Sequence, residues 1–311
     1  MFWYAVDKIK SALDDDADVL ILCSPALLEA TVREIPAATV RESTKLGSAL
    51  FAVKNSILAR GRNKLVTFTP HPLPFIPNQT VAFYDEYPFA GWIGAIKRIL
   101  FTIGALTSRC RVGIINRSLA IPFLRKCGIP TKRIFFDGAL PHIDTSKVPR
   151  RSAHPGSPPR IGLVGTDSRK KNYPLIFSKL RELGLDNAVS FMVYGKENDY
   201  TKELERDFPS IKFQIIDSDY RDILSFFSSV DYLISASTAE GYGRPMGLAA
   251  RLRVPMFLLK SPVFMEFFSN HAVFFNNIRD MLIYIVNEKP SSLSDAPSLS
   301  EDCPSRSAYF A

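Results

Sequence analysis

The sequence predicts an α/β protein of two doubly wound domains, each a parallel sheet with helices on both faces. Residues 160–259 alternate short apolar runs with segments of helical periodicity, and residues 17–138 repeat that style less regularly. Strands alternating with helices imply parallel sheets. Between these stretches, "TSKVPRRSAHPGSPPR" (145–160) holds four prolines, a glycine and three serines with no apolar period, and reads as a linker. The expected boundaries are 1–146 for the first domain, 147–159 for the linker and 160–288 for the second domain. The Ser/Pro-rich stretch 289–311 reads as a disordered tail.

In the first half the strand candidates are "ADVLILC" (17–23), "KLVTFT" (64–69), "TVAFYD" (80–85), "RVGIIN" (111–116) and "KRIFFDG" (132–138). Helical stretches lie between them, notably 92–107 and 118–127. In the second half "RIGLVG" (160–165) is a buried-strand pattern ending in glycine, followed by the helical "YPLIFSKLREL" (173–183). Strand "VSFMVYG" (189–195), helix "YTKELERDF" (200–208), strand "IKFQIID" (211–217) and helix "YRDILSFFSSV" (220–230) come next. Strand "DYLISAS" (231–237), helix "PMGLAARLR" (245–253) and strand "VPMFLL" (254–259) complete the series. In such sheets ligands bind beyond the carboxyl ends of the strands, so a cleft between the two domains is the expected site.

Composition excludes several classes. The chain has 311 residues, 46% hydrophobic and 23% charged, which argues against wholesale disorder. A mean hydropathy of +0.03 is too low for a polytopic membrane protein. The longest charge-free run, Leu65 to Tyr84, carries Pro70, Pro72, Pro74 and Pro77 and cannot be a straight spanning helix. The start lacks the basic and apolar regions of a secretory signal. Cys23, Cys110, Cys127 and Cys303 are far apart, with no CxxC and no paired histidine, so no zinc or disulfide framework is readable. That agrees with a reducing, cytoplasmic compartment.

Charge is uneven. The formal net charge of +8 resides in residues 1–150, and within them residues 51–150 hold 15 basic against 4 acidic side chains. Such an excess points to an anionic partner or to a solvated, soluble face. Interleaved aromatics on a basic strand face are not found, so no nucleic-acid partner is expected. An anionic membrane surface is, through residues 51–150. Segment 88–111, "PFAGWIGAIKRILFTIGALTSRCR", reads either as an interfacial helix lying among lipid headgroups or as a buried core helix.

Two loops carry chemistry. In "STAEGYGRPMGLAARLRVPMF" (237–257) a strand ends, an acid follows, then Gly241-Tyr242-Gly243 and a proline at a helix start. Glycines let backbone N–H groups approach a ligand, and a helix N-terminus attracts phosphate. Glu240 beside that loop would accept from hydroxyls. Phosphate on the loop and hydroxyls on the carboxylate describe a nucleotide-sugar; a generic strand-to-helix turn with Glu240 at the surface describes the residues too. In "VGTDSRKKN" (164–172), Arg169, Lys170 and Lys171 gather just before a helix, where the macrodipole disfavours cations, so the cluster suggests an anionic ligand or a solvated basic turn.

Together these motifs resemble the GT-B glycosyltransferases, specifically the large retaining family 4 of bacterial polysaccharide assembly, over roughly residues 64–268. "VGTDSRKKN" is similar to that family's strand–Gly–x4–(Arg/Lys)–Lys–Asn turn, with Lys171 at the diphosphate-pairing lysine. "AEGYGRP" resembles its Glu-Gly-Phe-Gly-x-Pro loop, and "SPVFMEFF" the downstream turn ending in glutamate, here Glu266. "FTPHPLPFIPNQTVAFYDEYPF" resembles the Pro-rich stretch and the "His-Asp-x-x-Pro" strand end, and "GIINRSLAIPFLRKCGIPTKRIFFDGAL" the segment closing the first domain.

The resemblance implies two Rossmann-like domains facing across a cleft and sugar transfer from a nucleoside-diphosphate sugar to a glycan or lipid-linked glycan, with no cofactor and no metal. It implies Lys171 and Glu240 as catalytic, with Gly165, Thr166, Arg169, Lys170, Gly241, Tyr242, Gly243 and Leu248 around the donor. His71, Tyr84 and Asp85 are assigned to the acceptor side. Three positions depart from the family pattern. Its second glutamate, eight residues after the first, is Leu248, its histidine is Tyr84, and its opening strand is absent. A catalytically degenerate nucleotide-sugar-binding or scaffold subunit is therefore the alternative.

Overall fold

The computed structural model describes residues 2–14, 18–58, 64–137, 158–166, 169–218, 223–237 and 240–288. They form two compact units, one up to residue 137 and one from 158 onward. The tail and most of the expected linker lie outside the described residues.

The first unit opens with helix α1 (Phe2–Asp14), followed by β1 (Leu20–Cys23), α2 (Pro25–Glu34), β2 (Thr39–Glu42) and α3 (Lys45–Leu58). Next come β3 (Leu65–Thr67), β4 (Gln79–Phe83), α4 (Gly91–Thr107), β5 (Arg111–Ile114), α5 (Ala120–Lys126) and β6 (Ile134–Phe136). Strands β3-β4-β5-β6 form a parallel sheet in chain order, while β1 and β2 pair as a separate two-stranded parallel sheet. All five residues of β4 are buried, as a parallel strand covered on both faces requires. Phe83, Phe89, Phe101 and Phe123 stack and tilt against one another at centroid distances of 4.9–6.4 Å, joining β4 to α4 and α5. Burying each such ring stabilises the unit by roughly 1.5–3 kcal/mol. A buried ion pair, Lys8 Nζ to Asp137 Oδ1 at 2.8 Å, ties α1 to the end of β6.

Helix α4 decides against one of the two readings of segment 88–111. Only Gly94, Phe101, Gly104 and Ala105 of the helix are buried, and its large aliphatic residues face outward. It is not a core helix.

The second unit is more regular. Its elements are β7 (Arg160–Val164), α6 (Tyr173–Glu182), β8 (Ser190–Gly195), α7 (Asp199–Asp207), β9 (Phe213–Asp217), α8 (Ile223–Ser229) and β10 (Tyr232–Ser235). The chain continues through α9 (Arg244–Arg251), β11 (Met256–Leu259), α10 (Pro262–Phe268), β12 (Val273–Phe275) and α11 (Ile278–Glu288). The sheet order is β12-β11-β10-β7-β8-β9, with every pair parallel. From β7 the chain winds outward through β8 to β9, then crosses back to β10 on the other side of β7 and winds outward to β12. The order therefore reverses between β7 and β10. The loops leaving their carboxyl ends diverge there, opening the crevice that doubly wound sheets use for ligands.

Candidate functional site

Both loops singled out in the sequence leave that reversal point. Residues 165–172 follow β7, and residues 236–243 follow β10.

The first loop is anchored by tyrosines and an asparagine. Gly165 takes a left-handed φ of +96° as the chain leaves β7. Tyr173, at the start of α6, donates its hydroxyl to the Gly165 carbonyl at 2.6 Å, and its own N–H donates to the Tyr200 hydroxyl at 3.2 Å. The two rings stack at 6.0 Å. Burial raises the Tyr200 phenol above its ordinary pKa. Thr166 exchanges hydrogen bonds with the Lys196 backbone, its hydroxyl donating at 2.7 Å and accepting at 2.9 Å. Asn198 Nδ2 donates to the Thr166 carbonyl at 2.8 Å. Gly195 allows this approach, since a Cβ there would lie 2.5 Å from Thr166 Oγ1.

Arg169–Lys171 form a short 3-10 turn before α6. Cations at a helix start suggest an anionic ligand or a solvated basic turn; in the chain by itself, two of the three meet carboxylates of the protein. Arg169 pairs with Glu203 of α7 at 2.5 Å and lies over the Tyr200 ring, largely in solvent. Lys171 Nζ lies 2.8 Å from Glu240 Oε1, and each of these side chains is 13% exposed.

That contact joins the two predicted catalytic residues, 69 positions apart in the chain. Ser237 Oγ donates to the same Glu240 oxygen at 2.9 Å. Gly243 caps α9 at φ +82°, and a Cβ on it would stand 2.9 Å from the Phe264 ring. Pro245 lies in the first turn of α9, a position where its missing N–H costs nothing. Gly241 is buried. The Tyr242 ring is buried as well, packing against Phe267 and Phe268 with centroids 4.6 and 5.6 Å away. Its side chain is thus part of the interior. Leu248 is 3% exposed within a buried run of α9, so its side chain too belongs to the interior.

His71, Tyr84 and Asp85 lie in the first unit. His71 is exposed; Tyr84 and Asp85 follow β4 and are half-buried. The Tyr84 carbonyl accepts from buried Asn116 Nδ2 at 3.3 Å, while Asn116 Oδ1 accepts from the N–H groups of Leu119 and Ala120 to cap α5. Sequence reasoning missed the supporting residues Ser237, Tyr200, Asn198 and Asn116. The signature of Asn198 was readable, because Asn198-x-x-Thr201 is a capping box at the start of α7.

No protein-family model and no curated protein matches the chain. Solved structures do. Anabaena HepE, crystallised in complex with UDP and glucose, superposes with a TM-score of 0.67 at 14% identity, covering 94% of this chain and 88% of that one. WaaG, a glycosyltransferase involved in lipopolysaccharide biosynthesis, gives 0.64 at 13% identity with the same coverage. TarM gives 0.51 at 16% identity, and there this chain spans only 43% of the other's length. The chain has the GT-B fold. Each GT-B unit is a Rossmann-like α/β layer, which matches the parallel sheets of both units. Among the described residues, no group of three or more His, Cys, Asp or Glu could hold a metal ion.

Proposed function

We propose that the chain is a glycosyltransferase that moves a sugar from a nucleoside-diphosphate sugar to a hydroxyl of a glycan or lipid-linked glycan. In this reading it acts with retention at the anomeric carbon, in the cytoplasm, during cell-surface polysaccharide synthesis. The observation that carries the reading is the Lys171–Glu240 pair at the reversal point of the second sheet. A cation for phosphate and a carboxylate for sugar hydroxyls arrive side by side from the two loops where such sheets bind ligands. The complex of the structurally similar HepE with UDP and glucose supports the same ligand class.

The chemistry breaks the bond between the anomeric carbon and the diphosphate oxygen while the acceptor oxygen bonds to that carbon on the same face, its proton passing to the departing diphosphate oxygen. Negative charge grows on the departing diphosphate. The Lys171 ammonium and the positive end of α9 would stabilise that charge, a preorganised electrostatic contribution rather than a proton transfer. Glu240 would accept from sugar hydroxyls and fix the anomeric carbon beside the acceptor, and its charge favours an oxocarbenium-like transition state. Diphosphate and Glu240 would share the ammonium, so donor binding loosens the ion pair and frees carboxylate lone pairs for the sugar.

A second reading, donor binding without turnover, is favoured by Leu248, whose buried side chain offers no carboxylate to a ribose. One experiment separates the two. UDP-, GDP- and ADP-glucose are screened by thermal shift, and nucleotide release is then measured with the stabilising donor. Stabilisation with release supports the enzyme and stabilisation without release supports the binding subunit. No stabilisation by any donor overturns both.

A further inference from the structure

We propose that Asn198 and Tyr200, at the start of α7 and outside both loops, are positioning residues for Lys171. They fix the path of the first loop, and so the place the ammonium takes beside Glu240. That Lys171 then meets a donor rests on the sugar-transfer reading; how the loop is held does not.

Lys171 sits beside a joint that needs holding. Asn172, the next residue, takes a left-handed φ of +58° and a ψ of 37° before α6 begins. Asparagine tolerates that region better than most residues, yet the conformation persists only where its surroundings fix it. A relaxed Asn172 would redirect the Lys171 main chain. The fixed point is Tyr173, on the other side of Asn172. Tyr173 is buried and is held at both ends. Its hydroxyl donates to the Gly165 carbonyl at 2.6 Å, which ties the end of the loop to its beginning. Its N–H donates to the Tyr200 hydroxyl at 3.2 Å, and the two rings stack.

Helix α7 reaches the loop near its beginning as well. Asn198 divides its amide between two tasks. Its Oδ1 accepts from the Thr201 N–H at 3.1 Å and caps α7, while its Nδ2 donates to the Thr166 carbonyl at 2.8 Å. Thr201, fully buried, returns the cap by accepting from the Asn198 N–H at 2.9 Å. The start of α7 is thus fixed by its own bonds. It grips the loop at Thr166 and at Tyr173, on either side of Lys171. A third contact, Glu203 with Arg169, adds little, because the Arg169 side chain is 71% exposed. Lysine carries its charge on a flexible four-carbon stem, so a fixed main chain is what keeps the ammonium near one place. A displaced ammonium loses both Glu240 and the diphosphate position.

Two variants separate holding from folding. Tyr200→Phe keeps the stacked ring and removes the hydroxyl. Asn198→Ser keeps a neutral N-cap and withdraws the donor from Thr166. The full-length chain is first unfolded in urea without nucleotide. Tyr200→Phe should raise the unfolding equilibrium constant about twentyfold, because a buried N–H loses its acceptor. With Lys171→Met already present it should raise it only about fourfold, since part of the loss is the Lys171–Glu240 pair. Asn198→Ser should show the same shortfall on a smaller scale. Independent sites multiply within about twofold, so factors that simply multiply overturn the proposal. UDP, GDP and ADP are then titrated by calorimetry. The nucleotide that binds should bind about fivefold more weakly to Tyr200→Phe and about threefold more weakly to Asn198→Ser. In a Lys171→Met background both changes should leave its affinity within about twofold. Weakening of equal size with and without Lys171 overturns the proposal, as does unchanged affinity in both variants. Should Tyr200→Phe fail to fold, Asn198→Ser carries both measurements. A wild-type chain that binds none of the three nucleotides refutes the sugar-transfer reading and leaves the urea result to decide the positioning.

Discussion

Replacing Lys171 by methionine removes an ammonium that the structure gives to Glu240 and the proposed mechanism gives to the donor. In the chain by itself, Lys171 Nζ and Ser237 Oγ both donate to Glu240 Oε1, at 2.8 and 2.9 Å, and the two charged side chains are each 13% exposed. Lys171→Met leaves a nearly enclosed carboxylate with one neutral donor on that oxygen. Breaking a fully buried pair by removing one partner costs about 3–5 kcal/mol. Residual exposure lets water reach both groups here, so we expect about 2 kcal/mol of lost stability. Glu240→Gln keeps the volume and strands the lysine, at a cost of about 1 kcal/mol, since a long ammonium can turn toward water. The double variant should be more stable than the sum of the single losses by about 1–2 kcal/mol, as expected of groups in direct contact. Urea unfolding at unchanged m reads that coupling. Calorimetric titration reads the other role. Lys171→Met should weaken UDP about tenfold or more, the loss of one charged hydrogen bond. Glu240→Gln should leave UDP affinity equal or higher, because the ammonium is released from its competitor, yet should weaken UDP-glucose relative to UDP. Stability losses that add within ~0.5 kcal/mol, or an unchanged UDP affinity in Lys171→Met, would refute the reasoning.

Gly243→Ala should cost about 2–4 kcal/mol in urea unfolding, from a left-handed residue gaining a Cβ and from that Cβ meeting the Phe264 ring at 2.9 Å. Lys8→Met should destabilise by about 3 kcal/mol, because Asp137 is fully buried opposite it, and adding Asp137→Asn should recover part of the loss in the same melts. Burial pushes the Cys110 thiol from 9.0 up to about 11, so in a Cys303→Ser background at pH 8 iodoacetamide should label Cys23 and spare Cys110 until denaturant is added. The folded state disfavours the Cys110 thiolate. Its contribution to stability is therefore complete below pH 9 and lost as pH rises toward 11, a loss that Cys110→Ala should flatten in alkaline melts.

The elements that sequence reasoning placed well are those with enough apolar residues to show a period. Strands β7, β8 and β10 bury alternate or all positions, and their runs stood out. Strand β2 (Thr39–Glu42) did not, because "TVRE" sits in a two-stranded sheet with three of its four residues exposed. Strand β12, "VFF", is three half-buried residues at the sheet edge, too short for any period. Helix α4 had the opposite difficulty. Its apolar residues nearly encircle it, so periodicity could not say which face turned inward. Two glycines decided that, through backbone approaches no single-sequence pattern displays.

The same distinction runs through the candidate site. Gly165, Gly243 and Pro245 announced two loops, because backbone conformations that need glycine or tolerate proline leave a mark in the sequence. Nothing in either loop announced that Lys171 would meet Glu240. That contact depends on β10 returning beside β7 rather than continuing past β9, and the choice is made by the whole sheet. Once the reversal exists, the loops after β7 and β10 must open side by side. A lysine at the end of one and a glutamate at the base of the other then become neighbours. Without a ligand they neutralise each other at 2.8 Å, which lets two nearly enclosed charges persist. Under the proposed function a diphosphate sugar would bring anionic phosphate to Lys171 and donating hydroxyls to Glu240, so both groups would stay hydrogen-bonded as they come to share the ammonium with the donor.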